Sequence, residues 1–189
     1  MIRESYVWKK ELKKELNSFE KFLKTYDIRN EDEEYQDRRM LKTEKFFYVT
    51  SFIIRKLIEA KKITNSLVNK KINCVGYKKI YREPRLLDFS GGNCDIDKNY
   101  NLNKELDLTI SILDLCNMFI HSYVFCESVS KDFQRLEGVF VNSINTKNKY
   151  CYYVTYKQYK EIILDFVNNA VVEANIRLDK NKNVVVELS

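Results

Sequence analysis

A single proline and four glycines are all that punctuate this chain of 189 residues. So few turn-formers argue against a sandwich or barrel made of many tight turns and favour long helices. There is one histidine, His121, and the five cysteines (Cys74, Cys94, Cys116, Cys126, Cys151) include no C-x-x-C pair. That leaves no plausible set of zinc ligands, and no cofactor is implied. An odd, scattered set of cysteines reads as reduced, mostly buried thiols. The phosphate-cradling patterns G-x-x-x-x-G-K-S/T and G-x-G-x-x-G are absent, as is the G-x-S-x-G elbow, which removes nucleotide hydrolysis, dinucleotide binding and elbow-type serine hydrolysis. No apolar run approaches the roughly 20 residues that span a bilayer. The N-terminal "MIRESYVWKKELKKEL" is charged throughout, unlike a signal peptide. The expectation is a soluble, cytoplasmic protein with no membrane contact.

What is present suffices for a core. Hydrophobic residues make up 44% of the chain, and 13% are aromatic, far more than a disordered segment carries. The length suits one domain over residues 1–189. The net charge of +6 is compatible with an anionic partner such as nucleic acid.

Along the chain, Trp8, Leu12, Leu16, Phe19, Leu23 and Tyr26 recur at helical spacing and predict a helix over 3–26. Asn30 followed by the acids 31–34 resembles an N-cap with negative charge at the positive end of the helix dipole. A second helix is predicted over 32–69, on the order of 55 Å if continuous at 1.5 Å per residue. Residues 71–103 hold most of the Gly and Pro and read as an irregular insert with one short strand around 86–89. Within it, Asp95, Asp97 and Asn99 begin like a calcium loop, but Tyr100 stands where the turn needs glycine and Leu106 where the glutamate belongs. A third helix is predicted over 103–129, opened by Asn103. "LEGVFVNSI" and "YCYYVTY" then read as an antiparallel hairpin, "KQYKEIILDFVNNAVVEA" as a helix, and the C-terminal residues as a strand pair. The predicted fold class is α+β but mainly α: a helical bundle of long antiparallel helices over 1–130, with a small antiparallel β appendage packed on it from 131–189.

The third predicted helix carries the candidate site. On a helical wheel its apolar residues cover more than half the circumference, and Asp107, Ser111, Asp114, Asn117, His121 and Ser128 share the remaining stripe. From 106 to 130 the only long charged side chain is Glu127. Asn117 and His121 are one turn apart, and Asp114 lies a turn before Asn117, placed to orient the imidazole. A histidine is the usual proton-transfer group at neutral pH. Cys116 falls on a different side of the wheel from His121, which argues against a thiol nucleophile. The bland reading is a polar pair satisfying itself within a helix interface, as buried polar groups must.

"CNMFIH" is similar to the signature of HEPN domains, in which an arginine, a polar residue, three variable residues and a histidine lie on one helix of a bundle. Asn117 and His121 match the polar residue and the histidine; Cys116 stands in place of the arginine. The resemblance implies a protein of toxin–antitoxin or antiphage-defence type, a homodimer or one with a cognate protein partner, acting on RNA without a metal. His121, Asn117 and Asp114 would be its catalytic residues. A thiol cannot hold a scissile phosphate as a guanidinium does, so the departure implies weakened or absent ribonuclease activity. Arg55, Arg135 or the loop arginines would have to substitute. The alternative is a non-catalytic subunit using the polar stripe as a protein interface.

Two basic stretches complete the reading. Lys78, Lys79, Arg82 and Arg85 lie in "YKKIYREPR" and are the candidate nucleic-acid-binding residues. "KNKYCYYVTYKQYK" interleaves lysines with tyrosines, a pattern that stacks bases and neutralises phosphates, or simply packs a half-exposed hairpin.

Overall fold

The computed structural model describes residues 4–80, 96–178 and 184–189. In chain order these form α1 (Ser5–Leu23), α2 (Glu33–Glu59), α3 (Asn65–Val68), β1 (Lys71–Lys79), α4 (Ile96–Asn99), β2 (Tyr100–Ser111), α5 (Ile112–Ile120), β3 (Ser122–Val129), β4 (Leu136–Ser143), β5 (Tyr150–Thr155), α6 (Tyr156–Asn168), β6 (Ala174–Leu178) and β7 (Val184–Leu188). β1 to β5 form one antiparallel sheet in the order β2-β1-β5-β4-β3, and β6 pairs only with β7. The fold is therefore α+β around a five-stranded sheet. The helical bundle with a small β appendage, expected from the sequence, is not what the chain forms.

The difference arises in three places. The predicted second helix ends at Glu59, where Ala60 caps it and Lys61 turns into the left-handed region at φ 53°. Its N-cap is Asp32 rather than Asn30: the Asp32 carboxylate accepts from Glu34 N, and Asn30 Oδ1 accepts from Asp32 N one step earlier. The insert over 71–103 contains β1 and the start of β2, while the proposed strand at 86–89 lies outside the described residues. The predicted third helix is three elements, a strand, nine residues of helix and another strand. Leu102, Leu106, Leu108 and Ile110 fall at even positions and follow a period of two, which lays them along β2.

One face of the sheet carries the main core. Ile72, Cys74, Ile110, Val139, Val141 and Val154 point from the strands into helical residues such as Leu12, Phe47, Leu115, Ile163 and Phe166. Phe19 stacks on Phe46 at 3.9 Å between centroids, and Phe47 sits among Phe119, Phe125 and Tyr159. Each such ring contributes roughly 1.5–3 kcal/mol by leaving water. Tyr159 is fully buried, and its hydroxyl meets Thr50 Oγ1 at 2.8 Å and Ser51 Oγ at 2.6 Å. The other face holds a smaller cluster of Tyr77, Ile96, Tyr100, Cys126 and Cys151. Cys126 is disulfide-bonded, which corrects the expectation of reduced thiols at that position; Cys74, Cys116 and Cys151 are free and buried.

Candidate functional site

The three residues expected to act together occupy different settings. Ser111 caps α5: its Oγ accepts from Asp114 N at 3.0 Å and donates to the Asp114 carboxylate at 2.5 Å. Asp114 is thereby committed to the start of the helix. Asn117 is half-buried, and its Oδ1 is a buried acceptor without a partner. His121 is not within the helix but is its C-cap, at φ −117° and ψ 38°, donating its backbone N–H to Asn117 O at 3.0 Å. Its side chain is exposed. The polar stripe is broken by the same change of structure: Asp107 lies on β2, Asp114 and Asn117 on α5, and Ser128 on β3.

The position that the motif gives to arginine is unsuited to phosphate. Cys116 is 1% exposed, and burial pushes its thiol up to about 12. Of the candidate substitutes, Arg55 is near enough to Cys116 to act on its thiol but is paired with a carboxylate. Arg55 donates to Glu59 at 2.6 Å, and Arg135 is exposed near Asp132. Arg82 and Arg85 lie outside the described residues.

The strand register gathers basic and aromatic groups at one end of the sheet instead. Lys78 pairs with Tyr150 and Lys79 with Tyr100, so the end of β1 meets the starts of β5 and β2. Lys79 N donates to Lys149 O at 2.9 Å, and its Nζ stands 5.3 Å from the centre of the Tyr100 ring. The turn from Ser143 to Tyr150 carries Lys147 and Lys149 and is pinned by Ser143 N donating to Thr146 Oγ1 at 2.9 Å. Tyr100 donates its hydroxyl to Lys147 O at 2.7 Å, and Lys147 Nζ lies 3.8 Å from the centre of the Tyr123 ring. Ser122, the residue after His121, pairs with Ser143 at the mouth of that turn. Four lysines, Tyr123, Tyr150 and the exposed imidazole thus lie along one end of the sheet, with Tyr100 buried beneath Lys79. Carboxylates on the adjoining segments include Asp97 on α4 and Glu105, which accepts from Tyr77 at 3.1 Å.

The largest departure from the sequence reading is an ion pair in the interior. Arg39 on α2 and Glu127 on β3 are in contact, with side chains 5% and 10% exposed. Arg39 also donates to Gln36 at 2.8 Å and to the Tyr26 hydroxyl at 2.9 Å, and its guanidinium lies 5.3 Å from the centre of the Tyr26 ring. Burial raises the Tyr26 pKa, with Arg39 opposing the shift. Glu127 had one visible signal, as the lone long charged side chain of an apolar stretch; Arg39 had none on a helix rich in exposed charge.

Among the described residues, no group of three or more His, Cys, Asp or Glu side chains is placed to hold a metal, and no helix is long and apolar enough to cross a membrane. No family model, curated protein or solved structure matches the chain.

Proposed function

We propose that this protein binds single-stranded RNA at the basic, tyrosine-lined end of its sheet, without ribonuclease chemistry at His121. The observation that supports it is the convergence of Lys78, Lys79, Lys147 and Lys149 with the half-buried Tyr123 and Tyr150 across β1, β3 and the turn before β5, above the buried Tyr100. Lysines spaced along such an edge neutralise successive phosphates, and tyrosine faces stack bases of any sequence, each stacked base being worth about 1–3 kcal/mol. Lys78 and Lys79, expected as nucleic-acid contacts, belong to this surface, and His121 lies at its margin. Catalysis is disfavoured because Asp114 is held by Ser111 and a buried thiol replaces the motif's guanidinium. The resemblance to HEPN domains now rests on Asn117 and His121 without the accompanying helical bundle. The defence role and the dimer that it implied therefore draw no support from the geometry.

The test is fluorescence anisotropy with a labelled single-stranded RNA over a range of salt concentrations. Replacing both Lys147 and Lys149 by alanine should weaken binding at least tenfold and reduce the salt slope by about 1.4, two phosphates at roughly 0.7 each. A single-stranded DNA of the same length serves as the comparison. Equal affinity of the wild type and the double variant would sink the proposal. Metal-free cleavage by the wild type that disappears in His121→Ala would restore the ribonuclease reading.

A further inference from the structure

β6 and β7 form a hairpin that joins no other strand among the described residues. Two strands alone are marginally stable in water, whereas three or more support one another. Glu173 and Ser189 exchange both main-chain hydrogen bonds, each at 3.1 Å. Bonded pairs alternate along an antiparallel ladder, and the register runs unbroken from Ala174 opposite Leu188 to Leu178 opposite Val184. Asn175 and Arg177 therefore turn their peptide groups toward β7, and Ala174 and Ile176 turn theirs outward. That outer edge lacks the usual guards against pairing: the strand has no proline, no lysine and no bulge. Residues 173–177 are all exposed, Ile176 by 72%, so the outer side of the strand is open.

We propose that this edge is a homodimer contact, in which β6 pairs antiparallel with β6 of a second copy to make a sheet in the order β7-β6-β6-β7. The outward peptide groups belong to even-numbered residues, so even must face even. With the two-fold axis at Asn175, Ala174 stands opposite Ile176 of the second copy and Ile176 opposite its Ala174, each pair exchanging two main-chain hydrogen bonds. The same register sets Glu173 opposite Arg177 of the second copy, twice. These are non-hydrogen-bonded pairs, in which side chains approach most closely and opposite charges stabilise. Moving the axis to Ala174 or Ile176 sets Asn175 opposite Glu173 or Arg177 and loses both matches. A strand that complements itself in charge and in hydrogen bonding selects a second copy as its occupant, through an isologous contact. Arg177, already in contact with Glu187, then bridges two carboxylates. The contact does not use α5, so it is distinct from the dimer that the motif implied.

The experiment is sedimentation equilibrium of the intact protein from about 10 μM to about 1 mM. A single strand edge is a small contact, so the dimer should build up toward the upper end of that range. Ala174→Pro removes an outward N–H at the first residue of the strand, where proline is tolerated. It should abolish dimerisation while the hairpin persists, as read from the cross-strand NMR contact of Ile176 with Val186. Glu173→Arg should weaken association at least tenfold. So should Arg177→Glu, made together with Glu187→Arg so that the hairpin keeps its own ion pair. An equimolar mixture of these two proteins should restore association, since opposite charges then meet at both positions. Asn175→Cys faces its own copy across the axis at about 4.5 Å between Cα atoms and should oxidise to a covalent dimer, whereas Glu173→Cys should not. A protein monomeric at every concentration, or a dimer that survives Ala174→Pro, would overturn the proposal. Failure of the mixture to associate, or crosslinking of Glu173→Cys as readily as Asn175→Cys, would do the same.

Discussion

Replacing Arg39 with methionine strands a carboxylate in the interior of the protein. In the wild type, Glu127 is held by Arg39 on one oxygen and unpaired on the other, and both side chains are nearly sealed from solvent. The variant removes the only cation in contact with Glu127 among the described residues and takes a donor from the Tyr26 hydroxyl. Methionine has comparable reach and no charge, so the packing volume is roughly kept. Breaking a buried pair from one side costs about 3–5 kcal/mol, because the remaining charge stays desolvated. The low exposure of both partners leaves little solvent to screen the loss, unlike the surface pairs, which contribute about 0–1 kcal/mol. With a urea slope near 2 kcal/mol per molar, the unfolding midpoint should fall by about 1.5–2.5 M. Arg39→Met combined with Glu127→Leu should recover most of that loss, since two apolar side chains of similar volume replace an ion pair at little or no cost. Urea unfolding of the two single variants and the double variant closes the cycle and isolates the coupling. A single variant within about 1 kcal/mol of the wild type, or a double variant no better than Arg39→Met, would refute the claim that the pair is buried and interdependent.

Three further perturbations have signs that the structure sets. A Cβ at Gly138 would stand 2.5 Å from the Val154 carbonyl and 3.0 Å from Thr155 Cα, so Gly138→Ala must move backbone and should cost about 1–3 kcal/mol. Gly76→Ala meets mainly the end of the Leu108 side chain, which can rotate, so thermal melts should rank Gly138→Ala well below it. Tyr159→Phe removes one partner of Ser51 Oγ, which keeps Cys116, while Thr50 keeps its bond to Phe46 O; a loss of about 1 kcal/mol is expected, and no loss would mean that the Cys116 contact suffices for Ser51. Burial pushes the thiols of Cys74, Cys116 and Cys151 up from 9.0 to about 11, 12 and 12. The folded state keeps protons that the unfolded chain releases, so stability is complete below about pH 9 and falls as pH rises toward 11–12, by about 1.4 kcal/mol per pH unit for each thiol. Urea unfolding at pH 8 and pH 10.5 should show this, less steeply in Cys151→Ala. Identical slopes would remove the thiols from the account.

The elements that follow from period and capping alone were legible. Apolar spacing over 3–26 leads to α1, and the acids at 33 and 34 open α2 behind an Asp32 cap. "LEGVFVNS" and "YCYYVT" form β4 and β5, and α6 follows them but ends at Asn168, short of the expected 174; the capping box of Thr155 with Gln158 that starts it is not part of that reading. The scarcity of glycine misleads, because the turn after β4 does not need it. The turn after β4 is built from Asn, Thr and Lys, with Ser143 and Thr146 supplying the hydrogen bonds, and only Lys61 and Phe133 among the described non-glycine residues have positive φ. Residues 100–129 mislead for a different reason. Leu108, Ile112, Leu115 and Phe119 fit a helical stripe across a boundary where the chain changes from strand to helix, and the wheel cannot see that boundary. The β-branched and aromatic run "YVFC" inside β3 is the local sign that the helix has ended.

The site was legible in composition but not in assembly. Lys78 and Tyr150 are 72 positions apart, and no local pattern brings them together; the pairing of β1 with β5 does so. Once that register is set, the alternation that looked like hairpin packing acquires two roles at once. Tyr152 and Val154 pack toward the helical core and Tyr153 toward the second cluster, while Tyr150 at the strand's start lies beside Lys149 at the sheet's end. Packing and the proposed nucleic-acid binding would therefore draw on different tyrosines of one strand, so the two readings of that stretch do not compete. Tyr150→Ala should weaken RNA binding at little cost in stability, whereas Tyr153→Ala should cost stability through its contact with Phe140 at 5.0 Å and leave the lysine-dependent salt slope unchanged.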